Sequence, residues 1–224
     1  MSTHLPSQKN SLPWFEIIIV LWGLGLIFVF GIVGLLGLVS LDRTLPVTSA
    51  KAYWFVSRSS GVLAYLLLTL GVMWGLVQSG GILRPTLPPA LTLGLHNFLS
   101  WASLAMAVLH GLVLLGDNYI KMRLADIVIP FIGPYRPMWV GLGILGIYLM
   151  FLLNVSFYVR SRIGQKNFRL LHYTSYAAFL LVTWHGMGAG TDTSALRLVY
   201  VPSIGGVGLL TVWRIWNVGP KTSK

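Results

Sequence analysis

Apolar residues gather along this chain into six long runs, Phe15–Leu41, Gly61–Val77, Leu91–Leu115, Trp139–Val159, Phe168–Met187 and Leu196–Val212, separated by short polar, basic or Gly/Pro-rich connections. A helix needs about 17–25 residues to cross the hydrocarbon of a bilayer, so each run is read as a membrane-spanning helix. The second and last are near the short limit, where Arg197 and Arg214 are placed to snorkel from the ends of the last. Phe15–Leu41 is too long for a signal-peptide core and lacks a convincing cleavage site, which makes it a retained helix. The expected organisation is a polar tail at 1–13, one six-helix transmembrane bundle at 14–216, and a short tail at 217–224. The fold class is all-α.

Composition agrees. Mean hydropathy is +0.77, with 55% hydrophobic and 9% charged residues, the range of integral membrane proteins. The chain has no cysteine, which excludes disulfides, thiolate-bound zinc, iron–sulfur clusters and covalent haem attachment. The formal charge of +11 does not point to nucleic acid, because the basic residues flank apolar runs and act as topology signals and headgroup contacts.

Their distribution sets an orientation. With the N-terminus on side one, that side holds nine basic residues (Lys9, Arg84, Arg160, Arg162, Lys166, Arg169, Arg214, Lys221, Lys224) and the other seven (Arg43, Lys51, Arg58, Lys121, Arg123, Arg136, Arg197). The short connection Arg160–Arg169 carries four of them and no acid. Both termini are therefore expected in the cytoplasm, in the inner (plasma) membrane of a cell. The Asp117–Pro137 connection, with Pro130, Pro134 and Pro137, is expected to fold back as a cap over the outer end.

Four histidines stand inside apolar runs: His96 and His110 in the third, His172 and His185 in the fifth. An imidazole is costly in hydrocarbon unless something binds it, and intramembrane ionisable residues mark function. The third and fifth spans run parallel, and separations of 14 and 13 residues correspond to about 21 and 19–20 Å along a helix. His96 with His172, and His110 with His185, can thus pair at two depths, as two stacked haem irons with two imidazoles each require. Two such ligands leave no open iron position, which favours electron transfer over oxygen chemistry. On an ideal helix His96 and His110 share a face within about 40°, whereas His172 and His185 lie about 140° apart, so the fifth helix must overwind locally or use different rotamers. Taken singly, each histidine also fits a hydrogen-bonded packing role; His4, in the polar tail, is read as a bystander.

Other residues refine the picture. Gly111 and Gly186 directly follow the outer histidines and offer clearance for a flat macrocycle. Phe179, midway between His172 and His185, is placed to lie between two macrocycles or simply to pack. Arg58, Arg136 and Arg197 outside, and Arg84 and Arg169 inside, are candidate partners for cofactor carboxylates. Gly31, Gly34, Gly37, Gly141 and Gly146 are read as helix-packing positions.

The Arg58-Ser59-Ser60-Gly61 entry to the second span, the histidine pair on the third, and the run RSRIGQKNFRLLHYTSYAAFLLVTWH from Arg160 to His185 resemble the ferric reductase-like transmembrane domain superfamily. That superfamily includes NADPH oxidases, eukaryotic ferric reductases and the haem subunit of the bacterial methionine sulfoxide reductase system. The resemblance extends from about Ala52 to Met187. It implies six helices, two non-covalent b-type haems ligated at His96, His110, His172 and His185, and outward electron flow from a cytoplasmic donor. The fused members continue into a flavin and NAD(P)H domain; here the sequence runs to Lys224 with no Gly-rich phosphate loop. The expected donor is therefore a partner flavoprotein or other donor subunit, or membrane quinol. Two other classes are carried alongside: an accessory subunit of a larger respiratory or photosynthetic complex, and a histidine-based proton or metal transporter. Transport is disfavoured by the scarcity of carboxylates, Glu16 being the plausible one within the spans.

Overall fold

A computed structural model describes residues 49–80, 87–117, 120–190, 194 and 196–218. The tail at 1–13, the first predicted span with Glu16, Gly31, Gly34 and Gly37, the connection residue Arg84, and residues 219–224 lie outside the described residues. Every regular element among those described is helical: α1 Ser49–Ser79, α2 Pro89–Val113 continued by a 3-10 turn at Leu114–Gly116, α3 Leu124–Val128, α4 Pro137–Ile163, α5 Gln165–His172, α6 Thr174–Ala189 and α7 Arg197–Val218. Four stretches, Tyr53–Ser79, Pro89–Gly116, Pro137–Ile163 and Arg197–Trp216, are long and apolar enough to cross a membrane. The described residues are all-α, with the long apolar helices of a membrane protein. Their outward faces suit lipid, with Leu63, Leu66 and Leu70 on α1 and Leu209, Val212 and Trp216 on α7 exposed.

Several expected boundaries move, each for a local reason. The second span was expected to begin at Gly61, yet α1 starts twelve residues earlier at Ser49. The polar stretch before Gly61 stays helical because Ser60 satisfies its hydroxyl internally, donating to the carbonyls of Val56 (2.7 Å) and Ser57 (3.0 Å). The basic connection Arg160–Arg169 is not a loop. α4 runs through Arg160 and Arg162 to Ile163, turns at Gly164, whose φ of +81° suits a residue without Cβ, and continues at once as α5. The fifth span divides at Tyr173, where Tyr176 N–H donates to the Tyr173 carbonyl three residues back (3.2 Å). Such 3-10 turns advance about 120° per residue rather than 100°, so one turn supplies roughly 60° of the rotation that two histidines 13 residues apart require, and different rotamers of the two side chains supply the rest.

α1 packs against α2, α6 and α7, and α4 against α6 and α2. The helices α1, α2, α4 and α6 therefore close a ring, with α7 laid on the outside of α1. Two buried clusters weld it: Tyr65, Leu76, Phe179, Tyr200 and Val207 between α1, α6 and α7, and Trp101, Leu104, Met150 and Ala178 between α2, α4 and α6. Gly141 and Gly146 act as packing positions, since a Cβ there would meet the Phe131 ring and Val182.

The Asp117–Pro137 connection folds back as a cap. Its short helix α3 is closed by Asp126, which accepts from Arg123 N–H at 2.8 Å. Tyr135 donates to the Ala189 carbonyl (3.1 Å) and Arg136 to the Gly188 carbonyl (2.6 Å), tying the cap to the end of α6. Tyr148 donates to the Val128 carbonyl from α4.

Candidate functional site

The ring encloses both histidine pairs. The His96 and His172 rings lie 6.0 Å apart between centroids with planes at 65°; those of His110 and His185 lie 5.9 Å apart at 73°. Because His96 meets His172 and His110 meets His185, α2 and the α5–α6 unit run in the same direction. A metal–imidazole bond of about 2 Å on each side, plus roughly 1 Å from nitrogen to ring centre, puts two rings about 6 Å apart across one ion. Both pairs have that separation.

Three of the four imidazoles are held by one repeated device. His110 Nδ1 donates to the Ser57 carbonyl (2.8 Å), with the Ser57 hydroxyl oxygen at 3.2 Å. His96 Nδ1 donates to the Gly71 carbonyl (3.1 Å) and His185 Nδ1 to the Trp139 carbonyl (2.9 Å). A carbonyl only accepts, so Nδ1 carries the proton in each ring and Nε2 keeps its lone pair for a metal. In all three cases a glycine stands four residues after the carbonyl, at Gly61, Gly75 and Gly143. A helical side chain leans back over the preceding turn and would cover the carbonyl four residues before it; glycine leaves that oxygen bare. The fit is close. A Cβ on Gly61 would lie 2.9 Å from His110 Nδ1, one on Gly143 2.7 Å from His185 Nδ1, and one on Gly75 3.2 Å from His96 Cε1.

Each pair opens into its own cavity. The one at His110 and His185 measures about 660 Å³ and the one at His96 and His172 about 610 Å³, within the range of small-molecule and cofactor sites. The first is walled by Arg58 and Arg136 and closed by Met122 and Ile127 of the cap. The second is walled by Arg160 and Arg214, with Asn97, Asn154 and Gln165. Leu68 and Met150 line both, and Met150 is only 4% exposed. These two residues therefore stand at the boundary between the cavities.

The donor set discriminates among metals. Among the described residues no three His, Asp or Glu converge to hold a bare ion. Two facing imidazoles at this spacing would suit a metal that brings further ligands of its own, as haem iron does. Haem also carries carboxylates, and the second cavity holds a group in want of one: Arg214 Nε is buried with no hydrogen-bond partner among the described residues. The residues present fit the group.

Not every expected site residue sits where the sequence placed it. Arg58 and Arg136 line the His110–His185 cavity, whereas Arg169 and Arg197 line neither. Arg160 and Arg214 take the corresponding positions at the other cavity and had not been singled out for that role. Gly111 and Gly186 both line the His110–His185 cavity, Gly111 with open space above its Cα and Gly186 with its Cβ position taken by the Tyr200 hydroxyl. Phe179 lines neither cavity. It is 2% exposed and stacks on Tyr65 at 5.9 Å, within the buried cluster between α1, α6 and α7. The glycines Gly61, Gly75 and Gly143 were also missed, although their Gly-at-i+4 relation to the acceptor carbonyls is readable once the partners are known. No protein-family model, curated protein or solved structure matches the chain.

Proposed function

We propose that this protein carries electrons across a membrane over two b-type haems, one held by His96 and His172 and one by His110 and His185, as the membrane subunit of an oxidoreductase. The observation that carries the reading is the pair of two-histidine sets, each spaced for one metal ion, with Nδ1 of three rings committed to a carbonyl. The resemblance of the sequence to the ferric reductase-like superfamily supports it. Bound haem iron supplies reversible one-electron chemistry between ferric and ferrous states.

The chain's own residues do the rest. The carbonyls of Gly71, Ser57 and Trp139 fix tautomer and ring orientation, so the imidazoles need little reorganisation when iron changes charge. Arg160 and Arg214 at one cavity, and Arg58 and Arg136 at the other, are placed to hold carboxylates bidentately. Leu68 and Met150, which line both cavities, place apolar side chains between the two sites. In this reading the His96–His172 end faces the cytoplasm and takes electrons from a flavoprotein or from quinol. The exposed residues Arg162, Lys166 and Arg169 at the α4–α5 corner form a basic surface beside it that steers an acidic donor.

The test is transport of charge, not only colour. Protein reconstituted into vesicles loaded with ferricyanide, with dithionite added outside, is expected to bleach the trapped oxidant. Vesicles without protein, or with the His96→Ala variant, are expected to retain it. Retained ferricyanide in vesicles whose protein holds both haems would overturn the electron-transfer role and leave the accessory-subunit reading.

A further inference from the structure

The two histidine pairs are not equivalent. His110 and His185 both give their Nδ1 proton to a helix carbonyl, and so does His96. His172 does not: its Nδ1 is buried and meets no acceptor among the described residues. Its ring lies instead against Phe168, centroids 5.5 Å apart and planes at 29°. The surroundings differ in charge as well. The His110–His185 cavity is lined by Asp117 together with Arg58 and Arg136. The His96–His172 cavity is lined by Arg160 and Arg214 and by no Asp or Glu among its described residues.

Both differences act on a bound iron in the same sense. An imidazole whose N–H is given to a carbonyl is the more basic ligand and favours the ferric state. His172 lacks that push. Arg160 and Arg214, with no Asp or Glu beside them among the described lining residues, favour the extra electron of the ferrous state, and more strongly away from water. We infer that the His96–His172 iron has the higher reduction potential of the two, so that a single electron entering the protein rests at that end. This rests on the dihaem reading. Its consequence is a built-in store: passage from His96–His172 to His110–His185 runs uphill, and the second site fills only after the first is reduced.

Equilibrium redox titration of the purified holoprotein, followed in the visible spectrum, is expected to show two one-electron waves. A variant with His110→Ala and His185→Ala should keep the higher wave, and one with His96→Ala and His172→Ala the lower. Arg214→Gln should move the higher midpoint downwards and leave the lower in place, while Arg214→Lys should largely preserve both. That variant decides the matter even where the histidine variants do not fold, since a structural role alone would not shift one potential selectively. Coincident waves, or a shift by Arg214→Gln of the lower wave or of neither, would overturn the inference. Wild-type protein without haem refutes the dihaem reading itself, whereas two haems in the reverse order refute only the ranking.

Discussion

Gly143→Ala is a sharp test of the histidine seats, because it adds one methyl group where the structure has no room. The new Cβ would stand 2.7 Å from His185 Nδ1, 2.8 Å from Cγ and 2.9 Å from Cε1, against a comfortable separation of about 3.5–4.0 Å. The ring must retreat by roughly 1 Å, which takes Nδ1 off the Trp139 carbonyl it now meets at 2.9 Å. Overpacking costs about 1–3 kcal/mol and the lost hydrogen bond about 1 kcal/mol, offset by about 1 kcal/mol of helix propensity gained on replacing glycine. The net of about 1–3 kcal/mol corresponds to roughly 5- to 150-fold weaker haem retention, at 1.4 kcal/mol per tenfold. Gly75→Ala, whose Cβ would lie 3.2 Å from His96 Cε1, should cost only a few-fold. Gly94→Ala, which meets nothing within 4 Å, should retain haem as the wild type does. Haem loss to excess apomyoglobin, followed spectrally against time, measures all three. Equal retention by the Gly143 and Gly94 variants would refute the argument that glycine seats the imidazole.

Further outcomes follow from the same geometry. His96→Ala and His172→Ala should remove one and the same component of the reduced-minus-oxidised spectrum, and His110→Ala and His185→Ala the other, since the rings pair at 6.0 and 5.9 Å; loss of a shared component by His96→Ala and His185→Ala would contradict the pairing. Charge reversal at Arg162 and Lys166, exposed at the α4–α5 corner, should slow reduction by an acidic flavoprotein donor at low salt, with stopped-flow rates converging on the wild type at high salt and an unchanged haem spectrum. Rates equal to the wild type at low salt would remove the docking role.

The sequence carried the histidine pairing because depth along a helix depends only on residue number and rise, and 14 and 13 residues are nearly the same length. It carried the direction around the helix less well. That depended on the turn at Tyr173, which no breaker residue announces. Arg58 marks another limit: a charged residue followed by two serines reads as a polar connection before an apolar run, whereas the Ser60 hydroxyl donates to the helix's own carbonyls and the helix continues through it. Phe179 was placed by sequence position alone, and of its two expected roles the structure shows packing, against Tyr65. Arg214 lies 42 residues from His172 along the chain, so its place in the His96–His172 cavity is a tertiary fact that spacing does not encode. The same holds for Gly61, Gly75 and Gly143, each of which serves a histidine on another helix.

The central claim, two non-covalent haems per chain, is tested most directly by stoichiometry. Gently purified protein should be extracted with acidified organic solvent, and both fractions assayed as the pyridine haemochrome against polypeptide concentration from amino-acid analysis. The account predicts two haems of b type per chain, all of them in the solvent, because the chain has no cysteine to tether them. One haem per chain, none, or haem remaining with the protein would contradict it.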